Sequence, residues 1–151
     1  VFSTPTGAVI GMSGALEMAL DPIGLTLWQF RILAFCAHRP STPSDVASWR
    51  TVKKQAVSRH LNALVELGFL ERRAETNDRR RIVHHVTPAG VKALERGQKA
   101  MNRTMDSVLR RLDTDAATDA RQGLEQLGAA LTSAWFDLPI ACDPPSPTRT
   151  P

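Results

Sequence analysis

Cysteine is scarce: Cys36 and Cys142 are two thiols in 151 residues. They are too few and too far apart for a disulfide framework, so a reducing cytoplasm is the expected compartment. No run approaches the roughly 20 apolar residues of a membrane span, and no membrane partner is expected. The opening stretch VFSTPTGAVIGM lacks the basic region of a secretory signal. It begins with Val rather than Met, which points to a missing leading segment. The arrangements that catalysis needs are also absent, with no Ser–His–Asp spacing, no glycine-rich phosphate loop and no paired carboxylates. An enzyme is therefore not expected, and neither is a cofactor. Cys36, His38, His84 and His85 suggest a metal, but no pair has zinc-knuckle or HExxH spacing. Strand neighbours such as His84 and His85 also point to opposite faces, so no metal site is expected.

What is present is concentrated charge. The formal net charge is +4. Between Lys53 and Arg81 stand Lys53, Lys54, Arg59, Arg72, Arg73, Arg79, Arg80 and Arg81, against Glu66, Glu71, Glu75 and Asp78. The whole excess thus falls in under thirty residues, the footprint expected of a polyanion partner rather than of general solubility.

The length suits one domain with a real core, or a compact lobe plus a dimerisation element. Residues 8–20 predict a helix stopped by Asp21-Pro22 and Gly24. Thr26 and Gln29 form a capping box for LWQFRILAFCA, a helix apolar on most sides and expected to be buried. Thr42-Pro43-Ser44-Asp45 opens a short helix ending near Trp49 or Arg50. The next begins near Lys53 or Lys54 and runs to Leu67, with Gly68 as its left-handed stop. Leu70–Arg73 and Arg81–Val86 predict two strands joined by an arginine loop. Thr87-Pro88 starts a long helix with Val91, Leu94, Met101, Met105, Val108 and Leu112 on one stripe. A last helix carries Ala120, Leu124, Leu127, Leu131 and Trp135. The proline-rich remainder predicts a flexible tail.

The fold class is thus mainly α with a small two-stranded β-wing, a winged helix-turn-helix with further helices on either side. Its boundaries are 1–24 for the N-terminal helix and 25–87 for the winged helix-turn-helix lobe. The C-terminal helices occupy 88–136 and the tail 137–151.

In KKQAVSRHLNALVEL, Val57, Leu61, Leu64 and Val65 share one helical face, and Gln55, Ser58, Arg59 and Asn62 share the other, with Lys54 alongside. Arg reads guanine, Gln or Asn reads adenine and Ser reads either, and no acid precedes Glu66 on this helix. His60, on the flank, is a phosphate contact or plain surface. Beside a helix in the major groove, a hairpin reaches the adjacent minor groove, where arginine fits best. Asp78 is placed to orient Arg80, leaving Arg79 and Arg81 for flanking phosphates. The expected partner is a pseudo-palindromic duplex whose half-sites lie about one turn, roughly 34–36 Å, apart.

Residues from about Leu25 to Gly97 resemble the winged helix-turn-helix of the MarR (multiple antibiotic resistance regulator) family. The resemblance rests on GLTLWQFRIL, VASWRTVKKQAVSRHLNALVELGFLERR, the DRR wing tip and the VTPAG helix entry. It implies a homodimeric transcription factor, often a repressor, with the first and last helices dimerising. It also implies release from DNA when a small phenolic or aromatic acid binds between the lobes. Met12, Trp28 and Phe30 are candidates to line that pocket, with Arg31 as carboxylate anchor, although apolar residues there are core by default. Two positions depart from the family pattern: Lys53 stands where a capping Ser is usual, and His84 where an aliphatic residue is usual. Two other readings stay open, a winged-helix module that binds protein instead of DNA, and an oxidant-sensing regulator using Cys36 or Cys142.

Overall fold

The computed structural model describes residues 3–50, 53–75 and 81–134, with side chains for all of these except 49–50 and 132–134. Helix α1 spans Pro5–Leu20 and leads through a tight turn at Asp21–Ile23 to α2, Leu27–His38. Helices α3, Pro43–Arg50, and α4, Lys54–Glu66, follow. Strands β1, Leu70–Ala74, and β2, Ile82–Val86, come next, then α5, Pro88–Leu109, and α6, Thr114–Ala134. Among the described residues no single helix is long and apolar enough to cross a membrane.

Three helices start in the same chemical way, with a threonine cap followed by proline at the first helical position. Thr4 Oγ1 accepts from the Gly7 N–H at 3.0 Å and Thr87 Oγ1 from the Gly90 N–H at 3.0 Å. Thr42 Oγ1 accepts from the Asp45 N–H at 3.2 Å, and Asp45 Oδ2 reaches back to the Thr42 N–H at 2.7 Å. Such caps satisfy backbone donors that have no partner inside the helix. Thr4-Pro5 explains why α1 begins three residues before the expected position 8. The Thr26–Gln29 capping box forms as expected, with bonds of 3.1 and 2.9 Å. Helix α4 is the exception, because Lys53 caps it with no side-chain bond. Thr51, the alternative cap, lies outside the described residues.

The far end of α4 closes firmly. Gly68 adopts φ 72°, its N–H bonds to the Val65 carbonyl at 2.9 Å, and the Phe69 N–H bonds to the Leu64 carbonyl at 2.9 Å. This paired closure requires a left-handed residue, which glycine supplies without steric cost. The core lies among α2, α3 and α4, where Ile32, Leu33, Val46, Val57, Leu61 and Leu64 are fully buried. Each large aliphatic side chain so buried contributes about 1.5–3 kcal/mol.

Strands β1 and β2 pair antiparallel, Leu70 opposite Val86 and Ala74 opposite Ile82. A third backbone segment joins them. Ser41, just before α3, exchanges bonds with His84: the Ser41 N–H donates to the His84 carbonyl at 3.2 Å, and the Ser41 carbonyl accepts from the His84 N–H at 2.9 Å. The wing root is thereby fastened to the helix-turn-helix.

Helix α5 buries only part of the expected stripe, with Met101 in the core and Leu94 packed against it. Gly90, Ala93, Gly97, Met101 and Leu109 face inward, while Val91, Val108 and Leu112 of the expected stripe are exposed. Small residues win the inner face because the helix must approach closely. A Cβ on Gly90 would sit 2.2 Å from the Phe69 carbonyl oxygen, and one on Gly97 would sit 2.6 Å from Phe30 Cε2. Val91, Val108 and Leu112 stay exposed, as do Leu124, Leu127 and Leu131 of α6. Trp135 and the tail from 137 on lie outside the described residues.

Gly90→Ala is expected to destabilise the fold by about 1–3 kcal/mol, since the backbone oxygen it meets cannot move aside as a side chain can. Urea unfolding checks this; a wild-type midpoint would show that α5 has room to spare.

Candidate nucleic-acid interface

Helix α4 divides along its length. Val57, Leu61 and Leu64 are fully buried, whereas Lys54, Gln55, Arg59 and Asn62 are exposed on the other side. Lys53, Lys54, Gln55 and Ser58 line an open depression at its N-terminal end. Ser58 is half-buried, and its hydroxyl donates to the Lys54 carbonyl at 2.9 Å, so in this rotamer it offers lone pairs and not a proton. Gln55 and Arg59 thus stand where expected, with their polar ends toward solvent.

Three expected contact residues have internal tasks. His60 stands edge-on to the Trp28 ring, centroids 6.3 Å apart, and joins α4 to α2. Burial, then the neighbouring Arg59 charge, holds its imidazole below the ordinary value. Arg81 pairs with Glu75 Oε2 at 3.2 Å and with Asp45 Oδ2 at 3.6 Å, so its charge is shared inside the protein at the wing root. Burial pushes the Asp45 carboxyl up, but the Thr42 hydrogen bonds and the charges of Arg81 and Arg39 outweigh it and leave the group below its usual range. Asn62 is engaged as well: its Oδ1 accepts from Arg72 Nη2 at 2.6 Å. The sequence marked Arg72 as part of the basic stretch but not as a contact residue, because a tie between a helix and a strand leaves no periodic trace.

At the wing the Glu75 N–H bonds to the Arg81 carbonyl at 2.9 Å. Asp78, Arg79 and Arg80, the remaining wing residues of the expected site, lie outside the described residues.

Of the four effector candidates, Met12 alone is among the residues that line the cavity between α1 and α5. This apolar cavity of about 290 Å³ is also lined by Ala8, Gly11, Ala15 and Val108. Phe30 belongs to the core and packs over Gly97. Arg31 stands 5.9 Å over the Trp28 ring, and burial lowers its pKa. Burial raises the Cys36 thiol to about 12, where almost no thiolate exists near neutrality. That environment suits packing and not oxidant sensing; Cys142 lies outside the described residues. Among the described residues no cluster of three or more His, Cys, Asp or Glu side chains could hold a metal.

His84 fills the expected aliphatic position while nearly fully buried, its Nδ1 3.3 Å from the Ser41 carbonyl. Burial holds its pKa below the ordinary value, with Arg72 and His85 acting the same way and the Ser41 hydrogen bond opposing. A histidine whose folded pKa is depressed binds its proton more readily when unfolded. Its stabilising share is complete above about pH 6.5 and is lost as pH falls toward the folded-state value. The urea midpoint is therefore expected to drop between pH 7.5 and pH 5, and His84→Leu to remove much of that drop. An equal pH dependence in both proteins would contradict the assigned burial effect.

The MarR family profile matches residues 23–81. The HTH-type transcriptional repressor Rv2887 of Mycobacterium tuberculosis is 30% identical over 132 residues, covering 83% of this chain and 94% of that protein. A crystal structure of that protein in complex with p-aminosalicylic acid has a TM-score of 0.63 at 24% identity, covering 83% of this chain and 99% of the other. YusO from Bacillus subtilis gives a TM-score of 0.70 at 21% identity, with 83% and 89% covered. A mutant of E. coli MarR complexed with operator DNA gives 0.60 at 23%, with 82% and 93% covered. At such identities the solved structures establish a shared fold. The family match and the mycobacterial relative, matched over most of both chains, make this chain a member of the MarR family, whose proteins are DNA-binding transcription factors and not enzymes.

Proposed function

We propose that the protein is a sequence-specific double-stranded DNA-binding repressor that acts as a homodimer. The observation that carries this reading is the exposed side of α4, where Lys54, Gln55, Arg59 and Asn62 stand without an acid. Arg59 and Gln55 suit base edges in a major groove, and Lys53 and Lys54 suit phosphates at the N-terminal end of the helix. Arg80, directed by Asp78, is assigned to the neighbouring minor groove and Arg79 to a flanking phosphate. Arg81 is assigned to the wing root, because its two carboxylate partners compete with any phosphate.

The dimer reading draws on apolar surface that the single chain leaves exposed. Val9, Ile10 and Met18 of α1 are 55%, 63% and 71% exposed, and Leu124, Leu127 and Leu131 of α6 are exposed too. Exposed apolar area on both terminal helices marks an interaction surface. A two-fold dimer then sets its recognition helices about one DNA turn apart. The p-aminosalicylic acid held by the mycobacterial relative supports a small aromatic acid as the releasing effector. The apolar cavity lined by Met12 is close to the lower size of ligand sites, about 300 Å³.

Selection of duplexes from a random pool tests the reading. Wild type is expected to enrich a pseudo-palindrome with salt-dependent affinity, and Arg59→Ala to relax one position per half-site by about 1–3 kcal/mol. Absence of duplex binding at low salt would overturn it in favour of a protein-binding module.

A further inference from the structure

The bond between Arg72 and Asn62 bears on which base the recognition helix reads. Asn62 lies on the same exposed face as Gln55 and Arg59, one turn further along α4. Arg72 lies in β1, opposite His84. Its Nη2 donates to Asn62 Oδ1 at 2.6 Å, a short charge-assisted bond. A guanidinium has donors only, so it settles the orientation of the amide: the oxygen faces Arg72 and the NH₂ group is left for another partner.

Asparagine reads adenine with both ends of its amide, accepting from N6 while donating to N7. Asn62 Oδ1 already gives one lone pair to Arg72, and the adjacent positive charge disfavours a further donor such as the adenine amino group. An NH₂ group beside a cation suits an edge made of acceptors. Guanine presents two, O6 and N7, in the major groove. Building on the DNA-binding reading above, we propose that Arg72 is a specificity-determining residue: it orients Asn62 as a donor, so that the helix selects guanine over adenine at the base pair Asn62 faces.

Arg72 acts here through Asn62 and is a positioning residue. The test measures base preference, which a purely structural or phosphate-binding arginine would leave in place. Wild type, Arg72→Met, Asn62→Ala and the double variant are each taken through binding-site selection, then titrated with fluorescent duplexes differing only at the selected pair. Thermal melting confirms that each is folded, and Arg72→Lys, which retains a donor, serves as the conservative variant. In Arg72→Met the freed amide is expected to shift preference toward adenine by about ten-fold, and in Arg72→Lys to stay with guanine. In the Asn62→Ala background Arg72→Met is expected to change nothing further at that pair.

If Arg72→Met instead weakens all duplexes equally and lowers the salt slope, Arg72 is a phosphate contact and the inference fails. It fails equally if wild type selects adenine there, or if a folded Arg72→Met retains the guanine preference. Loss of duplex binding by wild type is a separate result, which overturns the DNA-binding reading itself.

Discussion

A single turn of backbone, Gly68-Phe69, holds the reading parts of this protein together. The Phe69 N–H closes α4 on the Leu64 carbonyl, and the Phe69 carbonyl accepts from the Thr87 N–H at 3.0 Å. The Thr87 hydroxyl donates to the Gly68 carbonyl at 2.6 Å while its oxygen caps α5 through Gly90. Gly90 is the residue that lets α5 come against this corner. The end of the recognition helix, the start of the wing and the start of α5 are thereby bonded at one point.

The surrounding ties show why a basic stretch is not simply a basic surface. Arg81 balances Asp45 and Glu75, Arg73 pairs with Glu71, and Arg72 holds Asn62. These interactions are largely exposed and individually contribute little stability. Their effect is geometric: Arg72 ties β1 to α4, and Arg81 ties the wing root to α3. His60 against Trp28 joins α4 to α2, and Ser41 against His84 joins the segment before α3 to β2. The cations left facing outward on α4 are Lys53, Lys54 and Arg59.

Local chemistry made much of this readable from the chain. Thr26–Gln29, Thr42-Pro43 and Thr87-Pro88 placed three helix starts, and Gly68 placed a helix end, because caps and left-handed turns depend on neighbours in sequence. The same signal at Thr4-Pro5 would have placed the start of α1. The two sides of α4 followed from periodicity alone. Periodicity could not say how much of the α5 stripe turns inward: Met101 does, Val91 and Val108 do not, and the approach to Phe30 and Phe69 demands glycine. Nor could it assign His60, Arg81 or Asn62, whose partners Trp28, Asp45 and Arg72 come from other elements. Residue type announced a polyanion-binding surface, and tertiary contacts decided which members of it are free to reach out.

Amide hydrogen exchange with and without duplex DNA tests most directly that α4 and the wing act as one reader. Protection is expected to rise together in the first half of α4 and in β1 and β2, while exposed amides of α6 stay unchanged. Protection confined to α1 or α6, with α4 exchanging as in the free protein, would contradict the account.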